Sequence, residues 1–218
     1  MRHVDDAPQA VLAAAKEMLR KGLVEGTAGN ISARQEDGSI VITPSSVDYE
    51  EMALDDLVVI DLDGHVLHAK KGRSPSSEKP LHLACFKAFD DVGSVIHSHP
   101  VHATMFAVAR LDLPACIDEF AIFVGGDVRV TEYAASGTPE VGENAVAALQ
   151  GRGAALIANH GMVAVGPRPD KALHITALVE RSAKIVWGAG LLGQPVPLPA
   201  KVNADFANIY AYLREHPM

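Results

Sequence analysis

Cysteine is scarce in this chain of 218 residues, which carries only Cys85 and Cys116. Two thiols exclude a disulfide framework and a four-thiolate metal site, and they read as reduced cysteines of a cytoplasmic protein. Aromatic residues make up 5% of the chain. No apolar run reaches the ~20 residues that a membrane-spanning helix requires. The opening stretch, Met1 to Asp6, is polar and acidic, unlike a secretory signal. Basic charge is also in deficit, with 19 Lys and Arg against 27 Asp and Glu, a formal net charge of -8. A surface of that sign does not recruit a phosphate backbone, so nucleic acid is excluded as a general partner. A small anion held at a helix N-terminus stays compatible with it. What the chain does have is 48% hydrophobic residues, enough for the core of one domain spanning 1–218.

Hydrophobic spacing predicts a first helix over about Pro8–Lys21, capped by Asp6 and ended by Gly22. Short strands are expected at Asn30–Ala33, Ser39–Thr43, Leu57–Leu62 and His65–His68, with Asp-Gly turns at Gly38 and Gly64. Ser77 is expected to cap a helix that reaches about Phe89, with Pro80 tolerated in its first turn. A strand at Ser94–Ser98, a helix at Val101–Ala109 and further β structure between Ala121 and Val130 come next. A helix over Pro139–Gln150 leads to strands at Ala154–Ala158 and Val163–Val165. Helices over about Pro169–Trp187 and Asn203–Arg214 close the chain. This order predicts an α/β fold of the α+β type, a mainly antiparallel central sheet flanked by helices.

Chemistry concentrates in a few places. In Val95-Ile96-His97-Ser98-His99-Pro100 the strand alternation puts His97 and His99 on one face, and Pro100 places them at the strand end. A third imidazole, His160, follows the apolar strand Ala154–Ala158 and precedes Gly161. Each histidine alone has an ordinary structural explanation. Three at two strand ends, with a carboxylate elsewhere, are the set that a catalytic zinc uses. Glu78 supplies that carboxylate, in the first turn of its helix beside Ser76 and Ser77, where an anion can bind and a proton can be moved. Gly26-Thr27-Ala28-Gly29-Asn30 and Thr43-Pro44-Ser45-Ser46 are small polar loops that can approach an anion, although each alone is an ordinary turn.

In this order the motifs resemble the class II aldolase/adducin family, over nearly the whole chain. The resemblance implies that family's fold and a metal on His97, His99 and His160. Zinc is expected, and Mn²⁺, Fe²⁺ or Co²⁺ also suit such ligands. It implies a substrate phosphate held by Thr27, Gly29, Asn30, Ser45, Ser46, Ser76 and Ser77, with Glu78 as the acid/base. The implied reaction cleaves a ketose 1-phosphate, such as L-fuculose 1-phosphate, to dihydroxyacetone phosphate and an aldehyde through a zinc-bound enediolate. A homotetramer with active sites between subunits is implied as well.

Two positions depart from the family pattern. Ser46 stands where a glycine is usual, and Asp118 where a proton-donating tyrosine is expected. Asp118 is therefore a catalytic candidate, with Glu119, Tyr133, Tyr210 and Tyr212 as other replacements. Rival outcomes on the same site are pentulose-5-phosphate 4-epimerisation, decarboxylation and dehydration. Epimerases resemble the family with Asp in place of Glu78, which favours the aldolase. An adducin-like scaffold without metal is the non-enzyme alternative.

Overall fold

A computed structural model gives the fold, described here for residues 1–216. Its strands are β1 (Asn30–Arg34), β2 (Ile40–Ile42), β3 (Val58–Ile60), β4 (Val66–His68), β5 (Ser94–Ser98), β6 (Ala154–Ile157) and β7 (Gly161–Gly166). They form one sheet in the order β4-β3-β2-β1-β5-β7-β6, and neighbouring strands are antiparallel throughout. β1, β2, β5, β6 and β7 are buried along their whole length, and β2, β6 and β7 accordingly read as apolar runs, while β1 and β5 bury polar side chains as well.

Helices cover both faces. α1 (Ala7–Arg20) packs Val11, Ala15 and Met18 against Ile31, Ala33 and Ile96. α2 (Lys79–Ala88) and α5 (Pro139–Ala148) share a core with Ile40, Ile42, Val95 and Val163. α3 (Val101–Ala109), α4 (Asp118–Val124) and α6 (Pro169–Leu192) enclose Leu156, Met162 and Ala164. α7 (Ala200–Glu215) lies on α4 and is fastened by Arg214, which donates through Nε to Asp91.

The structure corrects several boundaries. The stretch from Ala121 begins inside α4, because Asp118 and Glu119 suit a first helical turn and Gly125 stops the helix at φ 96°. Only isolated bridges, Leu113 to Val128 and Val130 to Leu156, supply β pairing there. Asp6 does not cap α1: it sits in the left-handed region at φ 46° and its side chain makes no capping bond. Ser77 does not cap α2 either. Glu78 holds that position, and the Glu78 N–H donates to Ser76 Oγ at 3.2 Å. The last two helices extend beyond their expected bounds, to Leu192 and from Ala200.

Candidate active site

The anion loops read from the sequence meet beside one end of the sheet. Pro44 and Pro75 form an antiparallel bridge, Ser45 N–H donates to the Ser74 carbonyl at 2.9 Å, and Ser76 N–H donates to the Thr43 carbonyl at 3.1 Å. The Thr43 hydroxyl oxygen accepts from Ile31 N–H at 3.1 Å, which ties these loops to β1. Tyr49 donates its hydroxyl to the Gly29 carbonyl at 2.6 Å and fastens the Gly26–Asn30 loop. Gly29 is required there. Its φ is 76°, and a Cβ would lie 2.8 Å from the His97 carbonyl oxygen.

The loop side chains differ in what they can offer. Ser45 Oγ donates to the Pro75 carbonyl at 3.0 Å. Ser76 Oγ accepts from Glu78 N–H, which leaves its own proton to donate. Thr27 and Ser77 are exposed. Ser46 holds φ 56°, a left-handed conformation that glycine adopts freely and serine does not.

β5 delivers His97 and His99 from the middle of the sheet, and the tight turn between β6 and β7 delivers His160. Asn159, at φ 56°, makes that turn. The donor atoms of Glu78, His97, His99 and His160 all lie within 4.8 Å of one another. His97 is fully buried, and its Nδ1 lies 2.9 Å from the Met162 carbonyl. A carbonyl only accepts, so His97 carries a proton on Nδ1 and turns its Nε2 into the cluster, where that nitrogen can take a metal or share a proton with Glu78. That Nε2 lies 2.8 Å from His99 Nε2 and 3.1 Å from Glu78 Oε2, while His160 Nε2 lies 3.3 Å from Glu78 Oε1.

Converging lone pairs and a carboxylate repel one another unless a cation or proton sits among them. Three imidazoles and a carboxylate are therefore a donor set that fits a divalent metal. Burial, with the neighbouring rings' charge, lowers His99 to about 4 and lowers His160 as well, so these rings are neutral at physiological pH. Burial works against ionising Glu78, but the hydrogen bond and charge of His97, the Asn30 amide and His160 outweigh it. The Glu78 carboxyl lies well below the usual carboxylate range.

Comparison with known proteins agrees with this geometry. A profile of the Class II Aldolase and Adducin N-terminal domain matches residues 9–187. The chain belongs to the class II aldolase and adducin family. A 5-methylthioribulose-1-phosphate/5-deoxyribulose-1-phosphate aldolase of Rhodospirillum rubrum is 37% identical over 187 residues, 86% of this chain and 83% of that one. L-ribulose-5-phosphate 4-epimerase UlaF of Salmonella paratyphi C is 35% identical, covering 82% of this chain and 83% of its own. A solved L-fuculose 1-phosphate aldolase superposes with a TM-score of 0.89 at 37% identity, covering 96% of this chain and 98% of that one. The protein is an enzyme of the lyase class typical of this family's aldolases.

Other expected residues of this class II aldolase are not among the four whose donor atoms converge. Asp118 is exposed in the first turn of α4, and Glu119 pairs with Arg181 at 3.0 Å. Tyr210 is buried, and its hydroxyl lies against Gly153. Tyr133 stacks against Arg110, 5.7 Å from its guanidinium, and Tyr212 stacks on His216. Other residues in contact with the cluster or its scaffold escaped the sequence reading. Ser136 Oγ donates to Glu78 Oε1 at 2.9 Å from the loop before α5. Glu180, on α6, accepts from His102 N–H at 3.1 Å, His102 Nδ1 at 2.6 Å and Ala103 N–H at 2.9 Å, and so caps α3. No local pattern marks either one, because each partner is supplied by a distant element.

Proposed function

We propose that this class II aldolase cleaves a ketose 1-phosphate to dihydroxyacetone phosphate and an aldehyde, with a divalent metal held by His97, His99 and His160. The observation that carries the reading is the convergence of Glu78 with three imidazoles beside the paired serine loops. A Zn²⁺ ion there would supply a Lewis acid for the charge that develops on the substrate carbonyl oxygen as the carbon–carbon bond breaks.

The chain's own residues do the rest. The loops bearing Thr27, Gly29, Asn30, Ser45, Ser46, Ser76 and Ser77 seat the phosphate beside the N-terminus of α2. Bond cleavage leaves an electron pair on the carbon next to the carbonyl, and a proton must reach that carbon. Glu78, ionised in the resting site, would take a proton from solvent and deliver it there, with its two oxygens oriented by Asn30 and Ser136. A second proton leaves the hydroxyl that becomes the aldehyde oxygen. In a homotetramer with sites between subunits, Asp118 on the exposed start of α4 would accept that proton in a neighbouring site. Exposed Val101, Met105 and Val108 along one face of α3, beside the cluster, support such a subunit contact.

The chain works as one domain, since α1 and α6 pack on the same sheet and α7 packs on α4. No helix among the described residues is long and apolar enough to cross a membrane, which fits the cytoplasmic location expected from its two reduced thiols.

The test is a panel of phosphorylated ketoses with coupled detection of dihydroxyacetone phosphate, run with and without a chelator. Triose phosphate release that stops on chelation supports the reading, and chelator-insensitive release overturns it. An isomerised pentulose phosphate, or carbon dioxide, would instead assign epimerase or decarboxylase chemistry. Protein purified without a stoichiometric divalent ion, and inactive when reloaded, would support the scaffold.

A further inference from the structure

Asn30 and Ser32 alternate with Ile31 on β1, so both turn the same way, toward α2. His82 follows Glu78 by one helical turn and meets them there, with none of its surface exposed. A continuous hydrogen-bonded chain results. Ser32 Oγ lies 2.6 Å from His82 Nδ1, and His82 Nε2 lies 2.5 Å from Asn30 Oδ1. Asn30 Nδ2 then lies 2.8 Å from Glu78 Oε2. Behind them, Ser94 Oγ donates to the Ser32 carbonyl at 2.8 Å.

The directions follow from one fixed point. An ionised carboxylate only accepts, so the Asn30 nitrogen must face Glu78 and its oxygen must face His82. That oxygen only accepts, so His82 carries its proton on Nε2. The bare Nδ1 must then accept, so Ser32 donates its hydroxyl proton. Every group in the chain has one assignment.

We propose that His82 is a positioning residue that acts through Asn30, holding the Asn30 amide in the orientation that donates to Glu78. The inference rests on the reading of Glu78 as the proton carrier, while the tautomer it requires stands apart from any activity. With the amide reversed, Asn30 Oδ1 would face the carboxylate, and Glu78 would lose its buried amide donor and keep Ser136 at the surface beside the His97 and His160 rings. Asn30 keeps one Nδ2–H beyond the bond to Glu78, so the same amide can also serve the substrate anion. His82 itself does not move protons in turnover. It is neutral, and both its nitrogens are engaged.

Protein labelled with ¹⁵N-histidine, examined by long-range ¹H–¹⁵N NMR in metal-loaded and metal-free forms, tests the assignment. His82 is expected as the Nε2–H tautomer, unchanged from pH 8 to pH 6. A ring protonated on Nδ1, or charged at pH 6, overturns the proposal. Ser32→Ala removes the donor to Nδ1 and leaves His82 and Asn30 in place. It is expected to lower kcat about 10-fold, the lower end of what loss of a supporting hydrogen bond does near an active site. KM is expected to hold, while the limb of the kcat profile that reports Glu78 moves to higher pH. His82→Gln, which can still donate to Asn30, is expected to retain more of kcat than His82→Leu. Wild-type kcat and pH profile in folded Ser32→Ala and His82→Leu enzymes overturn the proposal.

If Glu78→Gln retained full turnover, the mechanistic reading would fail instead. The relay would then still be decided by the tautomer and by the Glu78 carboxyl titration followed by ¹³C NMR in Ser32→Ala. That titration is expected to move up, and an unmoved titration overturns the relay.

Discussion

Gly161 lies directly against His99: a Cβ built on Gly161 would stand 2.6 Å from His99 Cδ2 and 2.5 Å from the Ser98 carbonyl oxygen. The β5–β7 pairing forces this approach, since Ser98 lies opposite Met162 in the register. A methyl group at this position must push either a paired strand or an imidazole of the cluster. Gly161→Ala is therefore expected to destabilise the fold by about 1–3 kcal/mol, the usual range for overpacking a filled interior. Its metal affinity should also fall, because His99 is displaced. Thermal melts and a metal titration on the same preparation check the two effects. Wild-type values in both would mean that β7 moves aside freely.

Removing a ligand and removing the carboxylate should separate binding from turnover. In His97→Ala the remaining imidazoles hold a cation weakly, so metal content by elemental analysis and activity are expected to fall together. In Glu78→Gln, three imidazoles persist while the proposed proton carrier is lost. Metal content should then stay near stoichiometric, while kcat falls by about 10²–10⁴, the usual contribution of a positioned acid or base. Full metal occupancy in His97→Ala would remove that residue from the ligand set.

The buried imidazole of His82 gives the stability of the fold a defined pH dependence. Burial lowers His82 to about 3, whereas an exposed histidine titrates near 6.5. The unfolded chain then binds the extra proton first, so stability is complete above about pH 6.5 and declines as pH falls toward 3. At pH 5 this group alone should cost about 2 kcal/mol, from about 1.4 kcal/mol per pH unit over that gap. Urea unfolding of wild type and His82→Leu at pH 7.5 and pH 5 isolates it. The wild type should lose more stability between the two pH values than the variant. Glu78 titrates in the opposite sense, its stabilisation persisting above the unfolded carboxylate range and fading only in stronger acid.

Glu180 holds the start of α3 from outside, since Pro100 at the N-cap has no side-chain donor or acceptor. Glu180→Ala should cost about 1–2 kcal/mol, the range of a lost cap reinforced by the helix dipole. Glu180→Gln, which keeps one acceptor, should recover part of it in a thermal melt. Equal melting of all three proteins would show that α3 needs no cap.

Much of the site was legible because it is written in short segments. Strand alternation alone put His97 and His99 on one face, and a strand end followed by Gly161 marked His160. Serines grouped before an apolar helix marked the loops that meet at Pro44 and Pro75. Local pattern misled where two structures suit the same residues. The apolar stretch from Ala121 reads equally as strand or helix over so short a length, and only packing on α6 and α7 made it α4. Asp6 and Ser77 were plausible caps by residue type, but cap geometry depends on the direction from which the chain arrives.

The sequence by itself determined the antiparallel α+β class and the identities of Glu78 and the histidine triad, because period and turn chemistry act between neighbours in the chain. Only the tertiary structure decided what holds those groups. Asn30 lies beside His97 because β1 pairs with β5, which sets Asn30 opposite His97 in register although they stand 67 positions apart in the chain (97 − 30). His82, Ser136 and Glu180 reach their partners across α2, the loop before α5, and α6. No residue near any of them in the chain announces the partner. A buried hydrogen bond between distant segments is specified by the packing of the whole core, and it becomes visible only when that core has formed.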